Sequence, residues 1–420
     1  MDWMQLKRLE EEREADGVEE RGGGDGLPGL LDGLNEPQRR AVTHDSGPLL
    51  ILAGPGSGKT RVITRRIAWL VAERGVRPWE LVAITFTNKA AREMKERVEQ
   101  LLPVSGMWVS TFHAMCARIL RREIELLGGY TRDFTIYDTS DRNTLLKHLV
   151  KELGYDATRF KPSVVGGWIS DWKNKGLAVD RPELDMLNES DAESGVESEV
   201  FTAVRRRYEE AMRSNNALDF DDLLVKVLEL FQRHLGVRDA YARRFRHVMV
   251  DEYQDTNRVQ YLVTQHLASH HGNLAVCGDP DQSIYAWRGA DIRNILDFER
   301  DFPGVQTVKL DQNYRSTGHI LKAAESVIRN NHGRSDKRIW SDKGPGEKLV
   351  VLQCADEEDE AREVAQQIRS LHSRGVKHEQ MAVFYRVNFM QRALESALRL
   401  ARVPYQIVGG VEFYDRREIR

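Results

Sequence analysis

The fold of this chain is indicated by one stretch of its sequence, Leu49-Leu50-Ile51-Leu52-Ala53-Gly54-Pro55-Gly56-Ser57-Gly58-Lys59-Thr60. The leading apolar residues predict a strand, and the small residues after them let backbone N–H groups surround phosphate oxygens. Lys59 can neutralise phosphate charge, and the Thr60 hydroxyl can ligate Mg²⁺. Residues 61–71 have apolar side chains at helical spacing, so strand, loop and helix follow in the order that a phosphate-binding loop requires. The alternative is a glycine-rich turn that ends in Gly-Lys-Thr by chance, and the first loop position is Ala53 where the common motif has glycine.

The bulk properties of the chain set limits on its class. Its 420 residues predict two to three globular domains. The net charge of −3 means that any nucleic-acid contact must come from a local groove. Cys116, Cys277 and Cys354 lack metal-ligand spacing, which argues against structural zinc and fits a reducing cytoplasm. We find no apolar stretch long enough to span a membrane, so no membrane partner is expected.

The order of strands and helices predicts how the chain is organised. A charged, glycine-rich tail occupies residues 1–33, and strands alternate with helices at residues 34–111 and 214–308, which predicts a parallel sheet. Helices dominate residues 112–213, which we interpret as an insertion. The strands of the first sheet are predicted at residues 49–52, 81–85, 108–110, 245–250, 273–278 and 307–310. A second α/β run has predicted strands at residues 349–353, 381–385 and 405–408 and helices at residues 357–373 and 389–401.

Two carboxylates, Asp251 and Glu252, follow the apolar run Val248-Met249-Val250. If that strand neighbours the first one, both lie beside a magnesium-bound nucleotide on the phosphate loop. Asp251 can hold Mg²⁺ through water, and Glu252 can orient or deprotonate the attacking water. The pair therefore indicates hydrolysis; the alternative is a strand that ends in solvated acids.

The loop after residues 274–278 mixes an amide, an arginine and two aromatic residues. Gln282 could sense a terminal phosphate, whereas Tyr285, Trp287 and Arg288 offer faces on which bases stack. The alternative for Trp287 is a core tryptophan, because large aromatic residues are usually mostly buried.

Another strand end carries Phe86, followed by Asn88 at the start of a predicted helix. An aromatic ring beside a helix amino terminus suits base stacking with a phosphate contact, and the alternative for Phe86 is a hydrophobic staple on that helix. Asn88-Lys89 opens a guanine-reading pattern, but Ala91 stands where the carboxylate is needed. Guanine specificity is therefore not supported.

Two further segments could contact a nucleotide. In Gln312-Asn313-Tyr314-Arg315-Ser316, Arg315 is a candidate arginine finger and Tyr314 could stack on a base. In Asn35-Glu36-Pro37-Gln38, the Gln38 amide could read an adenine edge. The alternatives are a surface arginine and a plain helix start with proline near its first position.

Together these segments resemble a UvrD/PcrA/Rep-type superfamily-1 DNA helicase over about residues 34–420. The motifs that carry the resemblance are Leu-Asn-Glu-Pro-Gln, Gly-Ser-Gly-Lys-Thr-Arg, Thr-Phe-Thr-Asn-Lys-Ala-Ala, Val-Asp-Glu-Tyr-Gln-Asp-Thr-Asn, Gly-Asp-Pro-Asp-Gln-Ser-Ile-Tyr-Ala-Trp-Arg-Gly-Ala and Gln-Asn-Tyr-Arg-Ser. The resemblance implies an α/β fold: a P-loop RecA-like parallel-sheet lobe with a helical insertion, subdomain 1B, followed by a second, incomplete RecA-like lobe at residues 309–412.

The resemblance also implies roles for individual residues. Glu252, Lys59, Gln282 and Arg315 would be catalytic, and Thr60 and Asp251 would hold the metal. The nucleotide would contact Gln38, Ala53, Gly54, Pro55, Gly56, Ser57, Gly58, Lys59, Thr60, Arg61, Tyr314 and Arg315. Phe86, Asn88, Tyr285, Trp287 and Arg288 would lie on the path of single-stranded DNA.

The activity implied by the resemblance is ATP-driven 3′ to 5′ translocation on single-stranded DNA, with ATP and Mg²⁺ as cofactors and single-stranded or 3′-tailed duplex DNA as partners. Motifs V and VI of the family are missing from this sequence, so we expect a truncated chain in which residues 413–420 begin the inserted subdomain 2B. Two alternatives follow: a fragment that binds ATP and single-stranded DNA without unwinding, and a DNA-stimulated ATPase of a repair nuclease. The missing motifs favour the binding fragment for this chain, whereas the presence of Glu252, Gln282 and Arg315 favours helicase ancestry.

Overall fold

The computed structural model describes residues 29–180, 195–331 and 337–408. Most of the tail predicted at residues 1–33, and all of residues 413–420, lie outside the described residues. Among the helices that are described, none is both long and apolar enough to cross a membrane.

A parallel six-stranded sheet forms the centre of the first unit of the chain. The described strands are β1 (Leu49–Ala53), β2 (Leu81–Thr85), β3 (Trp108–Thr111), β4 (Thr135–Ile136), β5 (Ala217–Leu218), β6 (His247–Val250), β7 (Leu274–Gly278) and β8 (Gln306–Leu310). The large sheet has the order β3-β2-β6-β7-β1-β8, and β4 pairs with β5 separately. All six strands predicted for the large sheet are confirmed, because parallel pairing brings these buried apolar runs side by side.

Helices connect the strands and cover both faces of the sheet. The described helices are α1 (Glu36–Val42), α2 (Lys59–Ala72), α3 (Asn88–Leu101), α4 (Phe112–Glu123), α5 (Thr139–Glu152), α6 (Pro162–Asn174), α7 (Leu177–Asp180), α8 (Gly195–Ser214), α9 (Phe220–Arg233), α10 (Leu235–Arg244), α11 (Arg258–Ala268), α12 (Arg293–Leu296), α13 (Phe298–Asp301), α14 (Gly318–Ile328), α15 (Glu357–Ser373) and α16 (Gln391–Leu400). The α/β class predicted from the sequence is confirmed.

Side chains of β1, β2, β6 and β7 alternate between two cores. Leu49 and Ile51 of β1 pack in the core that includes residues of α1 and α2, whereas Leu50 packs in the core on the opposite face. Burial on both faces is typical of parallel sheets, and it fixes the register of each strand. The carboxyl ends of β1, β2, β6, β7 and β8 therefore lie along one edge of the sheet.

The segment predicted as a helical insertion contains a core of its own, built around Leu146, Phe201 and Tyr208. Helix α4, although within the range predicted for the insertion, instead contributes Met115 and Ile119 to the core of the sheet. An apolar face on α4 allows this packing, because residues four apart lie on the same side of a helix.

The chain divides into two compact units after Gly346. In the second unit, α15 and α16 confirm the predicted helices, and they pack through Ala361, Ala365, Ala397 and Leu398. The strands predicted at residues 349–353, 381–385 and 405–408 are wrong, because the described part of this unit contains no strand. Residues 349–353 form no backbone hydrogen bond with another described residue, and Val351 is 93% exposed. An apolar run becomes a strand only where a neighbour completes its ladder.

Candidate active site

The phosphate loop joins the carboxyl end of β1 to the amino terminus of α2. Gly56 and Gly58 have φ angles of 65° and 88°, a left-handed backbone that favours glycine. A Cβ atom at Gly56 would lie 2.7 Å from the Cβ atom of Arg315, so only glycine lets the two segments approach this closely. No side chain caps α2, and the N–H groups of its first turn are therefore suited to bind an anion.

Lys59 and Glu252 form the central ion pair of the site, with 2.8 Å between Nζ and Oε2. Burial is the largest influence and opposes the charged form of Lys59, but Glu252, together with Cys277 and Asp251, outweighs it and raises the pKa of Lys59 above its ordinary value. The condition that β6 neighbours β1 is not met, because β7 lies between them. The long Lys59 side chain nevertheless brings the two groups together across that strand.

Asp251 and Glu252 have different environments at the end of β6. Asp251 is buried, and burial together with the Glu252 charge raises the pKa of its carboxyl to about 6. Glu252 has a φ of 52°, which is rare for a residue other than glycine. Strained backbone of this kind is concentrated at functional sites.

Gln254 connects the Asp251-Glu252 turn to the end of β7. Its Nε2 atom donates hydrogen bonds to the carboxylates of Glu252, at 2.9 Å, and Asp255, at 3.2 Å. Its Oε1 atom accepts one from the backbone N–H of Asp279, at 3.0 Å. Gln254 therefore fixes the position of Glu252 relative to the loop that carries Gln282.

Gln282 is held by a buried charge pair. Its Nε2 atom donates to Oδ2 of Asp279 at 2.6 Å, and Lys337 binds the other Asp279 oxygen. Asp279 is fully buried and Lys337 almost so, which makes the pair costly to break from either side. In this state the Gln282 amide is directed at Asp279.

The Gln38 amide has partners at both ends. Its Nε2 atom donates to the carbonyl oxygen of Ser57 in the phosphate loop at 2.8 Å, and its Oε1 atom accepts from the backbone N–H of Asn35 at 3.2 Å. Only 1% of Gln38 is exposed. In this conformation Gln38 supports the phosphate loop and is hydrogen-bonded to Asn35.

The turn after β8 lies against the phosphate loop. The backbone N–H of Tyr314 donates to the carbonyl oxygen of Gly56 at 2.9 Å, and the Asn313 side chain donates to that of Pro55. The Asn313 Oδ1 atom also accepts from the backbone N–H of Arg315 at 2.8 Å. Arg315 and Tyr314 are thereby placed beside the loop, as their candidate roles require, and both are exposed.

Thr60 and Arg61 begin helix α2 and differ in their surroundings. Thr60 is half-buried in the first turn of the helix, next to Lys59. The Arg61 guanidinium donates to the backbone carbonyl of Asp32 at 3.3 Å. The structure thus brings Thr60 to the loop, whereas Arg61 reaches toward the segment before α1.

Three aromatic rings and one guanidinium form a continuous surface, which we call the aromatic strip: Phe86, Tyr285, Trp287 and Arg288. Ring centroids are 4.8 Å apart for Phe86 and Tyr285 and 6.4 Å apart for Tyr285 and Trp287. The Arg288 guanidinium lies 4.6 Å from the Trp287 ring centroid. Trp287 is 69% exposed, so the alternative of a core tryptophan is wrong.

The loop that carries Tyr285, Trp287 and Arg288 of the aromatic strip is hydrogen-bonded to the segment after Glu252. Asn257 and Ala290 form an antiparallel bridge, and the backbone N–H of Asp291 donates to the carbonyl oxygen of Thr256 at 2.9 Å. The strip and the ion pair therefore belong to one connected edge of the sheet. Asn88, the remaining residue predicted to bind DNA, is exposed and accepts a hydrogen bond of 3.5 Å from Thr111.

Sequence reasoning missed four supporting residues of this site, namely Gln254, Asp279, Asn313 and Lys337. Each is buried and polar; Gln254, Asp279 and Asn313 are bonded to a predicted site residue or to the phosphate loop, and Lys337 is bonded to Asp279. The first three stand inside the motifs quoted above, which was the available signal. Lys337 lies outside every motif, and the sequence contained no signal for it.

The phosphate loop lies at the carboxyl edge of a parallel sheet, and its lysine forms an ion pair with the glutamate of the Asp-Glu turn. These features define a P-loop nucleotide-binding protein. The UvrD/REP helicase N-terminal domain family matches residues 34–303, and the UvrD-like helicase C-terminal domain family matches residues 308–420. The chain belongs to the UvrD/REP helicase family.

Curated relatives support the same assignment. The chain is 48% identical over 401 residues to "ATP-dependent DNA helicase UvrD1" of Mycobacterium tuberculosis, covering 93% of this chain and 52% of that protein. It is 47% identical over 394 residues to "ATP-dependent DNA helicase PcrA" of Bacillus subtilis, with the same coverage. To PcrA of Staphylococcus aureus it is 45% identical over 393 residues, covering 93% and 53%. The chain thus spans about half the length of these relatives.

Proposed function

We propose that this chain binds ATP with Mg²⁺, hydrolyses it, and couples hydrolysis to movement along single-stranded DNA as part of a 3′ to 5′ DNA helicase. The observation that carries the proposal is the Lys59–Glu252 ion pair, placed between the phosphate loop and the segment connected to the aromatic strip. The relatives' names support ATP and DNA as ligands. The expected location is the cytoplasm.

The phosphate loop, residues 53–61, would hold the ATP phosphates through its backbone N–H groups, and Lys59 would leave Glu252 to neutralise them. Glu252 would then be free to orient the attacking water. Arg315 would stabilise charge on the transferring phosphoryl group. Gln38 and Tyr314 would form the base side of the site, with Gln38 acting through the phosphate loop.

Thr60 and Asp251 fit a Mg²⁺ ion, since a hydroxyl and a carboxylate are hard oxygen ligands. Burial and the Glu252 charge disfavour the charged form of Asp251 and raise its pKa, and a bound cation would stabilise that charged form. Among the residues described, no group of three or more His, Cys, Asp and Glu side chains could hold a metal ion. The nucleotide phosphates would supply further oxygen ligands for the ion. When bound, Mg²⁺ would neutralise charge on the phosphate oxygens.

The aromatic strip, with Asn88 beside it, would bind single-stranded DNA, and 3′-tailed duplex DNA would present such a strand. Stacking on aromatic rings tolerates any base sequence, as a translocating protein requires. Movement of Gln282 from Asp279 to the terminal phosphate would pull on the loop that carries Tyr285 and Trp287. Residues 34–111 and 214–308 would form the ATP-binding lobe, residues 112–213 its insertion, and residues 309–412 part of the second lobe.

The proposal is tested by phosphate release from ATP, measured for the 420-residue chain with and without single-stranded DNA, beside the Glu252→Gln variant. We expect turnover that DNA stimulates and the variant lacks. Turnover that is undetectable under both conditions would overturn catalysis by this chain and favour a binding module. Turnover equal in the variant would remove Glu252 from the chemistry.

A further inference from the structure

Asn35 lies between the phosphate loop and the exposed Tyr314 ring. Its Oδ1 atom accepts a hydrogen bond of 2.9 Å from the backbone N–H of Gln38, which caps helix α1. Its Nδ2 atom donates to the Tyr314 hydroxyl at 2.9 Å and to Oε1 of Gln312 at 3.1 Å. One side chain thus joins two segments that are almost 280 residues apart in sequence.

Asn35 is also linked to the phosphate loop through Gln38. Asn35 accepts a hydrogen bond from the Gln38 backbone N–H, and the Gln38 side-chain amide donates to the Ser57 carbonyl oxygen in the loop. On the other side, the Tyr314 hydroxyl donates to Gln312 at 2.8 Å, and Gln312 is itself held by Asp342 at 2.9 Å. The Tyr314 hydroxyl is therefore fixed by two partners, while 40% of the residue stays exposed.

We propose that Asn35 is a positioning residue that orients the Tyr314 ring for the nucleotide base and connects the ring to the phosphate loop. The inference rests on the proposed function, because it takes ATP as the ligand. A ring held in its binding orientation loses less conformational freedom when a base stacks on it. Without the Asn35 amide donor, the Tyr314 hydroxyl keeps only Gln312 of the two partners described above, and the Tyr314 ring can rotate more freely.

A purely structural role for Asn35, capping α1, makes a different prediction. Serine is a good helix cap but lacks the amide donor, so Asn35→Ser separates the two roles. Tripolyphosphate is a probe of the phosphate loop alone, because it has no base. Tyr314→Phe removes the hydroxyl and keeps the ring, and Asp138→Ser changes the cap of α5 in the insertion as a matched control.

The experiment is equilibrium binding of ATP and of tripolyphosphate to the full chain and to these variants. We expect Asn35→Ser and Tyr314→Phe each to weaken ATP binding about threefold to tenfold, the size of one hydrogen bond, with tripolyphosphate binding and the melting temperature unchanged. The double variant should weaken ATP binding by less than the two single variants combined, because the Asn35–Tyr314 hydrogen bond is lost in both of them. Asp138→Ser should bind both ligands normally.

Two results would overturn the inference. Equal weakening of both ligands by Asn35→Ser would show that Asn35 only supports the phosphate loop, and unchanged ATP binding would show that it has no role in binding. Failure of the proposed function would look different, because the unaltered chain would then bind neither ATP nor tripolyphosphate, and both proposals would fall.

Discussion

Lys59 and Glu252 neutralise each other across 2.8 Å, although one is suited to bind phosphate and the other to activate water. Lys59 is nearly buried, whereas about a third of the Glu252 side chain is exposed. Under the proposed function, a bound nucleotide would take Lys59 from Glu252, and the same exchange would free the carboxylate for water. Binding and the preparation for hydrolysis would then be one event at this pair.

The exchange predicts the effect of Glu252→Gln. The variant removes the carboxylate that competes with phosphate for Lys59, so ATP affinity should be unchanged or higher. Turnover should fall by about 10²-fold to 10⁴-fold, the usual contribution of a general base. Initial rates of phosphate release and ATP titrations measure the two quantities. A variant with a tenfold loss of ATP affinity would contradict this account of the pair.

The aromatic strip predicts a loss of DNA binding without a loss of stability. Trp287→Ala should weaken binding to single-stranded DNA by about 1–3 kcal/mol, because the exposed ring would no longer stack on a base. The melting temperature should not change, since the ring is mostly outside the core. Fluorescence anisotropy with a labelled oligonucleotide measures the affinity.

Trp79 offers the matched control for this experiment. It is also exposed, but it precedes β2 and so lies at the amino-terminal edge of the sheet. Trp79→Ala should leave DNA affinity unchanged. Equal losses in both variants would mean that the affinity reflects general aromatic content, and the strip would not be the binding surface.

The buried pair of Lys337 and Asp279 predicts a large stability effect outside the motifs. Lys337→Met should lower the free energy of unfolding by about 3–5 kcal/mol, because it leaves a buried carboxylate without its cation. Urea unfolding of the chain measures the change. The double variant with Asp279→Asn should recover part of the loss. If the free energy of unfolding of Lys337→Met lies within about 1 kcal/mol of that of the unaltered chain, roughly the range for exposed ion pairs, the result would count against burial of this pair.

The free energy of unfolding should depend on pH because His247 is buried. Burial, followed by the nearby Arg66 charge, lowers the pKa of His247 to about 3, against about 6.5 in the unfolded chain. The unfolded state therefore takes up the proton first, and the stability is complete above about pH 6.5 and decreases as the pH falls toward 3. Between pH 7 and pH 5 the loss is about 1–2 kcal/mol.

His247→Gln provides the comparison for this effect. Urea unfolding at pH 7 and pH 5 should give a smaller difference in the variant, because glutamine takes up no proton in either state. An identical pH dependence in both proteins would place the proton uptake elsewhere in the chain.

The features of the fold that could be predicted from the sequence are those that depend on neighbouring residues along the chain. The phosphate loop requires glycine at Gly56 and Gly58, and the motifs that follow each strand place Asp251, Phe86 and Gln282 at one edge because parallel strands end together. These relationships need only the order of the elements, which the sequence carries.

Contacts between distant segments could not be predicted in this way. Nothing near Lys337 in sequence indicates that Asp279 needs its charge, and nothing near Asn35 indicates that Tyr314 is its partner. The apolar pattern at residues 349–353 predicted a strand because periodicity reports suitability for burial, whereas a strand also needs a hydrogen-bonded neighbour. Which neighbour a residue has is a property of the folded chain.

We propose that one edge of the sheet couples nucleotide binding to single-stranded DNA binding. The most direct measurement is the DNA affinity of the Glu252→Gln chain with and without Mg²⁺ and ATP, since this variant should retain the nucleotide. We expect the DNA affinity to change at least about fivefold when Mg²⁺ and ATP are added. The change should disappear when Lys59→Ala is introduced as well. The same DNA affinity with and without ATP, in a chain that binds both, would contradict this proposal.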